Sequence, residues 1–295
     1  MKILSPATSA NLGPGFDSLG LAIKLHNEIT ITEQSFSQIS ISGEGANNSM
    51  LKKNNSFVNI FNSTLSELGL KGKNFRFDFK NAIPLSRGLG SSSAIIISAI
   101  FAAYKIAGFS LSKNKLVDLG LAYEPHPDNI APCAHGGFCV SILKGNSVIT
   151  KKATLSGDLR AVVVVPPIKI STAASRSSLQ ASYSRSDCVS NLSHASLMSA
   201  AFVSGDYELL RSCGVDKMHE DARMKAVPEL FKIREIAYQN GALLSTLSGS
   251  GSSFFNLVYK NDAKKLRSLL ASEFSSFRVN AYELDNEGAQ IIWNS

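Results

Sequence analysis

Ile83-Pro84-Leu85-Ser86-Arg87-Gly88-Leu89-Gly90-Ser91-Ser92-Ser93-Ala94 passes without a break into Ile95-Ile96-Ile97 and a helical pattern that lasts to about residue 107. Glycine takes positive φ at little cost and lets a ligand approach the backbone closely. The first amides of a helix have no partner inside it, and together with the helix dipole they favour an anion such as a phosphate. The serine hydroxyls add contacts for a phosphate or a metal ion. A flexible Gly/Ser connector has no reason to abut Ala94-Ile95-Ile96-Ile97, so the segment reads as a phosphate-binding loop opening a helix. It is not a P-loop, because no Lys-Ser/Thr follows the glycines, and not a Rossmann fingerprint, because G-x-G-x-x-G is absent. The HRD and DFG elements of protein kinases are missing as well.

Moving outward from this loop, residues 75–79 alternate as a strand, and residues 56–68 carry Phe57, Ile60, Phe61, Leu65 and Leu68 at helical spacing. Residues 19–31 and 38–42 read as sheet strands, and a short strand at 2–4 enters a loop of small, turn-forming residues at 5–17. On the far side, 111–123 reads as an amphipathic helix, 126–137 as a loop rich in Pro, Asn and Gly, and 138–143 as a strand. Ser156-Gly157-Asp158 is a plausible hinge, giving an expected N-terminal domain of 1–157 and a C-terminal domain of 158–295. Beyond it come a strand at 160–165 stopped by Pro166-Pro167, a serine-rich mobile loop at 171–186, and helices at 191–203, 207–213 and 230–240. Residues 242–247 and Ser248-Gly249-Ser250-Gly251 follow, then a strand at 254–259, a helix at 263–274 and a closing strand at 277–284.

With 295 residues, 44% hydrophobic and 18% charged, the composition is globular, and it lies outside the disordered, collagen-like and coiled-coil classes. Thirty Lys+Arg against 23 Asp+Glu leave a net charge of +7. The basic residues form no run of five, and no aromatics interleave with clusters such as Lys151-Lys152 or Lys264-Lys265-Arg267, so nucleic acid is not the expected partner. Residues 94–103, the longest strongly apolar stretch, are about half a membrane span, and no secretion signal opens the chain. Four cysteines without CxxC spacing read as buried thiols of a cytoplasmic protein. The histidines offer no HExxH or Cys/His metal spacing.

The loop, with Pro84 four residues ahead of Gly88, resembles the second motif of the GHMP small-molecule kinases, the superfamily of galactokinase, homoserine kinase, mevalonate kinase and phosphomevalonate kinase. Ser5-Pro6-Ala7-Thr8-Ser9-Ala10-Asn11-Leu12-Gly13-Pro14-Gly15-Phe16-Asp17 is similar to the first motif in its homoserine-branch form. Leu247-Ser248-Gly249-Ser250-Gly251 is similar to the third. His126-Pro127-Asp128-Asn129-Ile130-Ala131-Pro132 resembles the substrate loop of that branch. Ser171-Thr172 to Arg176, and Asp216 through His219 to Arg223, resemble its C-terminal substrate segments. Pro125 stands where a glycine is usual, and Ser252 replaces a common proline, which is expected to loosen the turn after the third motif.

The resemblance implies an α+β GHMP kinase fold, with an N-terminal domain like the second domain of ribosomal protein S5 and a C-terminal ferredoxin-like domain. It implies ATP-dependent phosphorylation of L-homoserine to O-phospho-L-homoserine in threonine biosynthesis, with Mg²⁺, and a homodimer. It assigns ATP to Pro84, Leu85, Ser86, Arg87, Gly88, Leu89, Gly90, Ser91, Ser92, Ser93 and Ala94, with Asn55 touching adenine. Ser92 and Glu124 are implied as metal ligands, and these two with Asn129 as the catalytic set.

The chemistry of a hydroxy amino acid agrees: its carboxylate wants a cationic clamp, its ammonium an anion or amide, and its hydroxyl a polar contact. Arg176 and Arg223 supply the clamp, Asn11 and Asp17 the ammonium contacts, and His126, Asp128 and Asn129 the hydroxyl end. Phosphoryl transfer through a loose transition state asks mainly for alignment and charge neutralisation, so no strong base is expected. The rivals are another kinase of the superfamily, an ATP-dependent decarboxylase of the mevalonate type, and a non-catalytic nucleotide sensor.

Overall fold

Apolar alternation and small residues build the first sheet. In the computed structural model, which describes residues 1–293, the chain opens with β1 (Lys2–Ala10), β2 (Leu19–Gln34), β3 (Gln38–Gly43), α1 (Ser49–Lys53) and α2 (Ser56–Glu67). Next come β4 (Asn74–Asn81), α3 (Ser91–Ile106), α4 (Lys113–Gly120), α5 (Pro127–His135), β5 (Phe138–Lys144) and β6 (Ser147–Ala153). These strands form one sheet in the order β1-β2-β4-β3, with β5 pairing β2 and β6; the β3–β4 pair is parallel. The alternating Phe75, Phe77 and Phe79 of β4 all point to the core and meet Phe57 and Phe61 of α2 edge-on, at centroid distances of 5.2–5.7 Å. Each such pair contributes about 0.5–1.5 kcal/mol beyond its burial.

The second half runs β7 (Leu159–Val165), α6 (Thr172–Ser177), α7 (Arg185–Ser204), a 3₁₀ turn (Tyr207–Ser212), α8 (Glu220–Met224) and α9 (Glu229–Gln239). It continues through β8 (Leu244–Leu247), β9 (Phe254–Tyr259), α10 (Lys260–Glu273), β10 (Arg278–Tyr282) and β11 (Gln290–Ile292). An antiparallel sheet of order β10-β7-β9-β8 results, while β11 crosses back to pair with β1 in the first sheet. Phe138 of β5 stacks on Phe202 of α7 at 4.1 Å, so the two halves also share a core contact.

The architecture departs from the sequence reading in instructive places. Residues 5–10 are not loop but the continuation of β1, whose register slips between Pro6 and Ala7 and so absorbs the missing proline donor. The segment read as a loop at 126–137 is mostly the helix α5. Pro127 fits its first turn, and Pro132 leaves the carbonyl of Asp128 without its i+4 donor. That carbonyl lies where a Cβ on Gly20 would come within 2.0 Å, a close approach that only glycine allows. The serine-rich stretch read as mobile contains α6, capped by Ser171 and tied down by Ser175 Oγ, which donates to Ser250 O at 3.0 Å. Strands β6 and β11 escaped notice, the first behind Gly145-Asn146 and the second through its three-residue length.

Candidate active site

The loop at residues 86–93 takes the left-handed glycine turns that its sequence suggests. Gly88 and Gly90 have φ of +73° and +66°, and a Cβ would lie 2.1 Å from Ser248 O at the first and 1.9 Å from Thr8 Oγ1 at the second. Gly90 caps α3 from the left-handed region with no side-chain capping bond, so the amides of the first turn are left for a ligand. Ser91, Ser92 and Ser93 line a cleft of about 530 Å³ between the two sheets' loops. Ser92 is exposed there, whereas Ser93 is buried and donates to Glu124 Oε2 at 2.8 Å. Burial raises the Glu124 carboxyl above its usual range, against the lowering effect of that bond.

The third motif stitches the other two together. Ser248 Oγ donates to Gly88 O at 2.6 Å, Ser253 N to Arg87 O at 3.0 Å, and Gly249 N to Ala10 O at 3.1 Å. Gly249 O in turn accepts from Asn11 Nδ2 at 3.1 Å and from Arg223 Nη1 at 3.1 Å. Ser252 does not loosen this turn: its buried hydroxyl donates to Ile168 O and so replaces ring rigidity with a hydrogen bond.

Facing the phosphate loop across the cleft lie the charged residues. Asn11 and Asp17 take left-handed φ of 68° and 57°, and Asn11 Oδ1 accepts from Asp17 N at 3.0 Å. Asn11 thus holds Asp17 and Gly249 in place, and its amide keeps a second N–H and a second lone pair in the wall of the cleft. Arg176 grips the Asp17 carboxylate in a bidentate pair at 2.7 and 3.2 Å, and His126 Nδ1 lies 3.5 Å from the same group. Arg176 and Arg223 sit 5.1 and 5.2 Å from the centroid of Phe16, so both cations share one aromatic ring.

Arg223 is 5% exposed, its partners are His219 Nδ1 at 3.3 Å and Gly249 O, and its Nε has no partner. His219 Nε2 meets Gly13 O at 2.8 Å, and a carbonyl only accepts, so the proton sits on Nε2 and Nδ1 is free to accept from Arg223. Burial lowers the His219 pKa and keeps this ring neutral, with Asp216 opposing. Burial, then the neighbouring Arg176, lower that of the Arg223 guanidinium.

At the start of α5, Asn129 Oδ1 accepts from Thr8 Oγ1 at 2.7 Å, which leaves the Asn129 amide nitrogen as its free donor. Asp128 is buried in the same wall, and burial, reinforced by Asp17 and Glu124, pushes its carboxyl up to about 7. His126 is shifted down by burial, with Asp17 opposing.

The cleft thus gathers Asn11, Asp17, residues 86–93, Glu124, His126, Asp128, Asn129, Arg176 and Arg223. Pro84, Leu85, Ala94 and Asn55 are not part of its wall. Asn55 caps α2, accepting from Val58 N at 3.2 Å and donating to Leu51 O at 3.0 Å. Sequence reasoning gave no role to Thr8 or to Phe16, the shared platform of the arginines; both lay inside the first motif. Among the described residues no group of three or more His, Cys, Asp or Glu side chains is placed to hold a metal ion.

Comparison with known proteins matches residues 55–137 to the GHMP kinases N terminal domain and residues 198–276 to the GHMP kinases C terminal domain. A homoserine kinase of Campylobacter fetus subsp. fetus is 56% identical over 288 residues, covering 98% of each chain. The chain belongs to the homoserine kinases of the GHMP superfamily. A homoserine kinase of Nitratiruptor sp. is 52% identical over 291 residues, covering 99% of each chain. Among solved structures, a homoserine kinase from Cytophaga hutchinsonii superposes with a TM-score of 0.87 at 24% identity, covering 99% of this chain and 97% of that one. A mevalonate kinase follows at 0.73 and 19%, covering 97% and 100%. At such identities these likenesses speak for the GHMP kinase fold alone. Membership in the GHMP kinases carries the use of ATP.

Proposed function

We propose that this enzyme transfers the γ-phosphoryl group of ATP to the side-chain hydroxyl of L-homoserine, giving O-phospho-L-homoserine and ADP. The observation that carries the reading is a buried guanidinium, Arg223, without a carboxylate partner, set across one cleft from the open N-terminus of α3. A buried cation of this kind calls for an anion. The substrate carboxylate meets it, with Arg176 beside it on Phe16. Asp17 has lone pairs beyond those used by Arg176 and takes the ammonium, held in place by Asn11.

The hydroxyl end then lies against Asn129 and Asp128, with His126 alongside. Its oxygen forms the new bond to the γ-phosphorus as the bond to the β–γ bridging oxygen breaks, and the amides of Ser91, Ser92 and Ser93 hold the phosphates. A loose transition state leaves the hydroxyl proton in place until late, and Asp128, which lines the cleft with its carboxyl pushed up to about 7, receives it when ionised. Glu124 accepts only a serine hydroxyl and pairs with no side-chain cation, so with Ser92 it fits a divalent ion beside the phosphates. Mg²⁺ bound there would neutralise phosphate charge. A homodimer in the cytoplasm belongs to the same reading.

The test is Mg²⁺-dependent ADP release with L-homoserine, with mevalonate and phosphomevalonate as competitors for the assignment. Homoserine should stimulate turnover and yield a phosphate monoester. Stimulation by the isoprenoid acids and not by homoserine would overturn the reading.

A further inference from the structure

Arg87 lies within the phosphate loop, yet its guanidinium does not serve that loop's ligand side. It is 8% exposed, and its bonds go to main-chain carbonyls: Nε to Pro166 O at 3.0 Å, Nη2 to Pro167 O at 2.8 Å, and Nη1 to Leu85 O at 3.3 Å. The two prolines stand where the chain leaves β7, and neither has an N–H with which to anchor itself. The planar fork of an arginine can serve several carbonyls at once, which an ammonium on one flexible stem cannot.

The same junction is held at further points. Ile170 N donates to Ser86 O at 3.3 Å, and Ser252 Oγ to Ile168 O. Ser171 then caps α6, and Ser175 of α6 donates to Ser250 O. Residues 166–171 are therefore pinned to the phosphate loop on one side and to the third motif on the other. They lead directly into the helix whose Arg176 holds Asp17.

We infer that Arg87 is a positioning residue that couples the nucleotide side of the cleft to the amino-acid side. Rearrangement of residues 85–90 around phosphates is passed by its guanidinium to residues 166–171, and through them to α6 and Arg176. The inference rests on the function proposed above. Coupling of this kind is reciprocal: a bound nucleotide raises the affinity for homoserine by the factor by which homoserine raises the affinity for nucleotide.

Calorimetric titration of the full chain with homoserine, with and without a non-hydrolysable ATP analogue and Mg²⁺, measures that factor. The parent should show a factor of at least about five, Arg87→Ala should bring it to about one, and Arg87→Lys should fall between. The analogue alone should bind Arg87→Ala within about threefold of the parent, a difference small beside typical couplings of 5–150-fold. If Arg87→Ala does not fold, Arg87→Lys and Ser252→Ala, which removes the neighbouring bond to Ile168 O, carry the test, each with a reduced factor. A parent that binds both ligands without coupling overturns the inference, as does an unchanged factor in the variants. So does a tenfold or greater loss of analogue affinity in Arg87→Ala, which would make Arg87 a nucleotide ligand. A parent that binds the analogue but not homoserine refutes the proposed function instead.

Discussion

Replacing Arg223 by Met should separate its role toward a ligand from any role in the fold. The side chain is 5% exposed, so a charge-assisted contact made by its guanidinium is worth about 1.5–3 kcal/mol, and truncating one side of a desolvated pair costs about 2–5 kcal/mol. Arg176 shares the load, which places the expected loss near 2–4 kcal/mol. At 1.4 kcal/mol per tenfold, kcat/KM for homoserine should fall by about 30- to 1,000-fold. The fold gives up the bond from Arg223 Nη1 to His219 Nδ1 but sheds a buried cation, while Gly249 O keeps its bond from Asn11 and His219 keeps its bond to Gly13. Methionine sulfur over Phe16 retains a favourable contact. The two effects oppose each other, so thermal stability should change little. The assay is coupled ADP release at saturating ATP, with homoserine compared with homoserinol, which lacks the carboxylate. Homoserinol should be a poor substrate of the parent and lose almost nothing further in Arg223→Met, and Arg176→Ala should be non-additive with it. If homoserinol turnover falls as far as that of homoserine, the guanidinium serves the fold or a phosphate, and the carboxylate clamp is wrong.

Removing the Thr8 hydroxyl in Thr8→Val releases Asn129 Oδ1 and should cost about 1 kcal/mol, or roughly fivefold in kcat, with KM for ATP unchanged; an unaltered kcat would show Asn129 to be held by other means. Glu124→Gln should raise the Mg²⁺ concentration needed for half-maximal activity, and an identical Mg²⁺ titration would leave the metal without this carboxylate. Glu220 is fully buried, with Oε1 accepting from Leu247 N and Oε2 3.7 Å from Arg234 Nη1 but without a hydrogen bond, and burial, against the lowering effect of those two neighbours, pushes its carboxyl from 4.5 up to about 8. Between those values the unfolded chain releases this proton while the folded chain keeps it, so the parent loses stability as pH rises through the window and levels off above it. Glu220→Gln lacks this titration, so its stability relative to the parent should climb from about pH 4.5 to about pH 8 in denaturant titrations. A pH-independent difference would contradict the assigned burial cost.

The glycine loop that opens α3 was legible because its cause is local: glycines, an uncapped helix start and an apolar run are neighbours in sequence. The helix α5 was not, because two prolines mimic a loop. What permits Pro132 is Gly20, more than a hundred positions away, whose missing side chain makes room for the carbonyl that Pro132 orphans. The Asp17–Arg176 pair spans 159 positions and the Gly13–His219 bond 206, so neither leaves a periodic signal. Resemblance brought these residues together in the reading, and it did so by position. It could not say that Arg87 spends its guanidinium on the protein itself, or that Asn11 is braced from both ends of its amide.

That spending has a chemical purpose. A catalyst of phosphoryl transfer with no strong base depends on donors that are already aimed when the ligands arrive. In this cleft some residues aim others. Asn11, Ser248 and Arg87 fix Asp17, Gly88 and the approach to α6, while Asp17, Arg176, Arg223 and the amides of α3 face the cleft. Glycine at positions 88 and 90 belongs to the first group as much as the second. Any side chain there would strike Ser248 O or Thr8 Oγ1 before it met a phosphate, so these glycines are required for the loops to dock at all. The motifs therefore encode a packed junction of three loops, and the phosphate site proposed above follows from how that junction leaves the first turn of α3 without a side-chain cap.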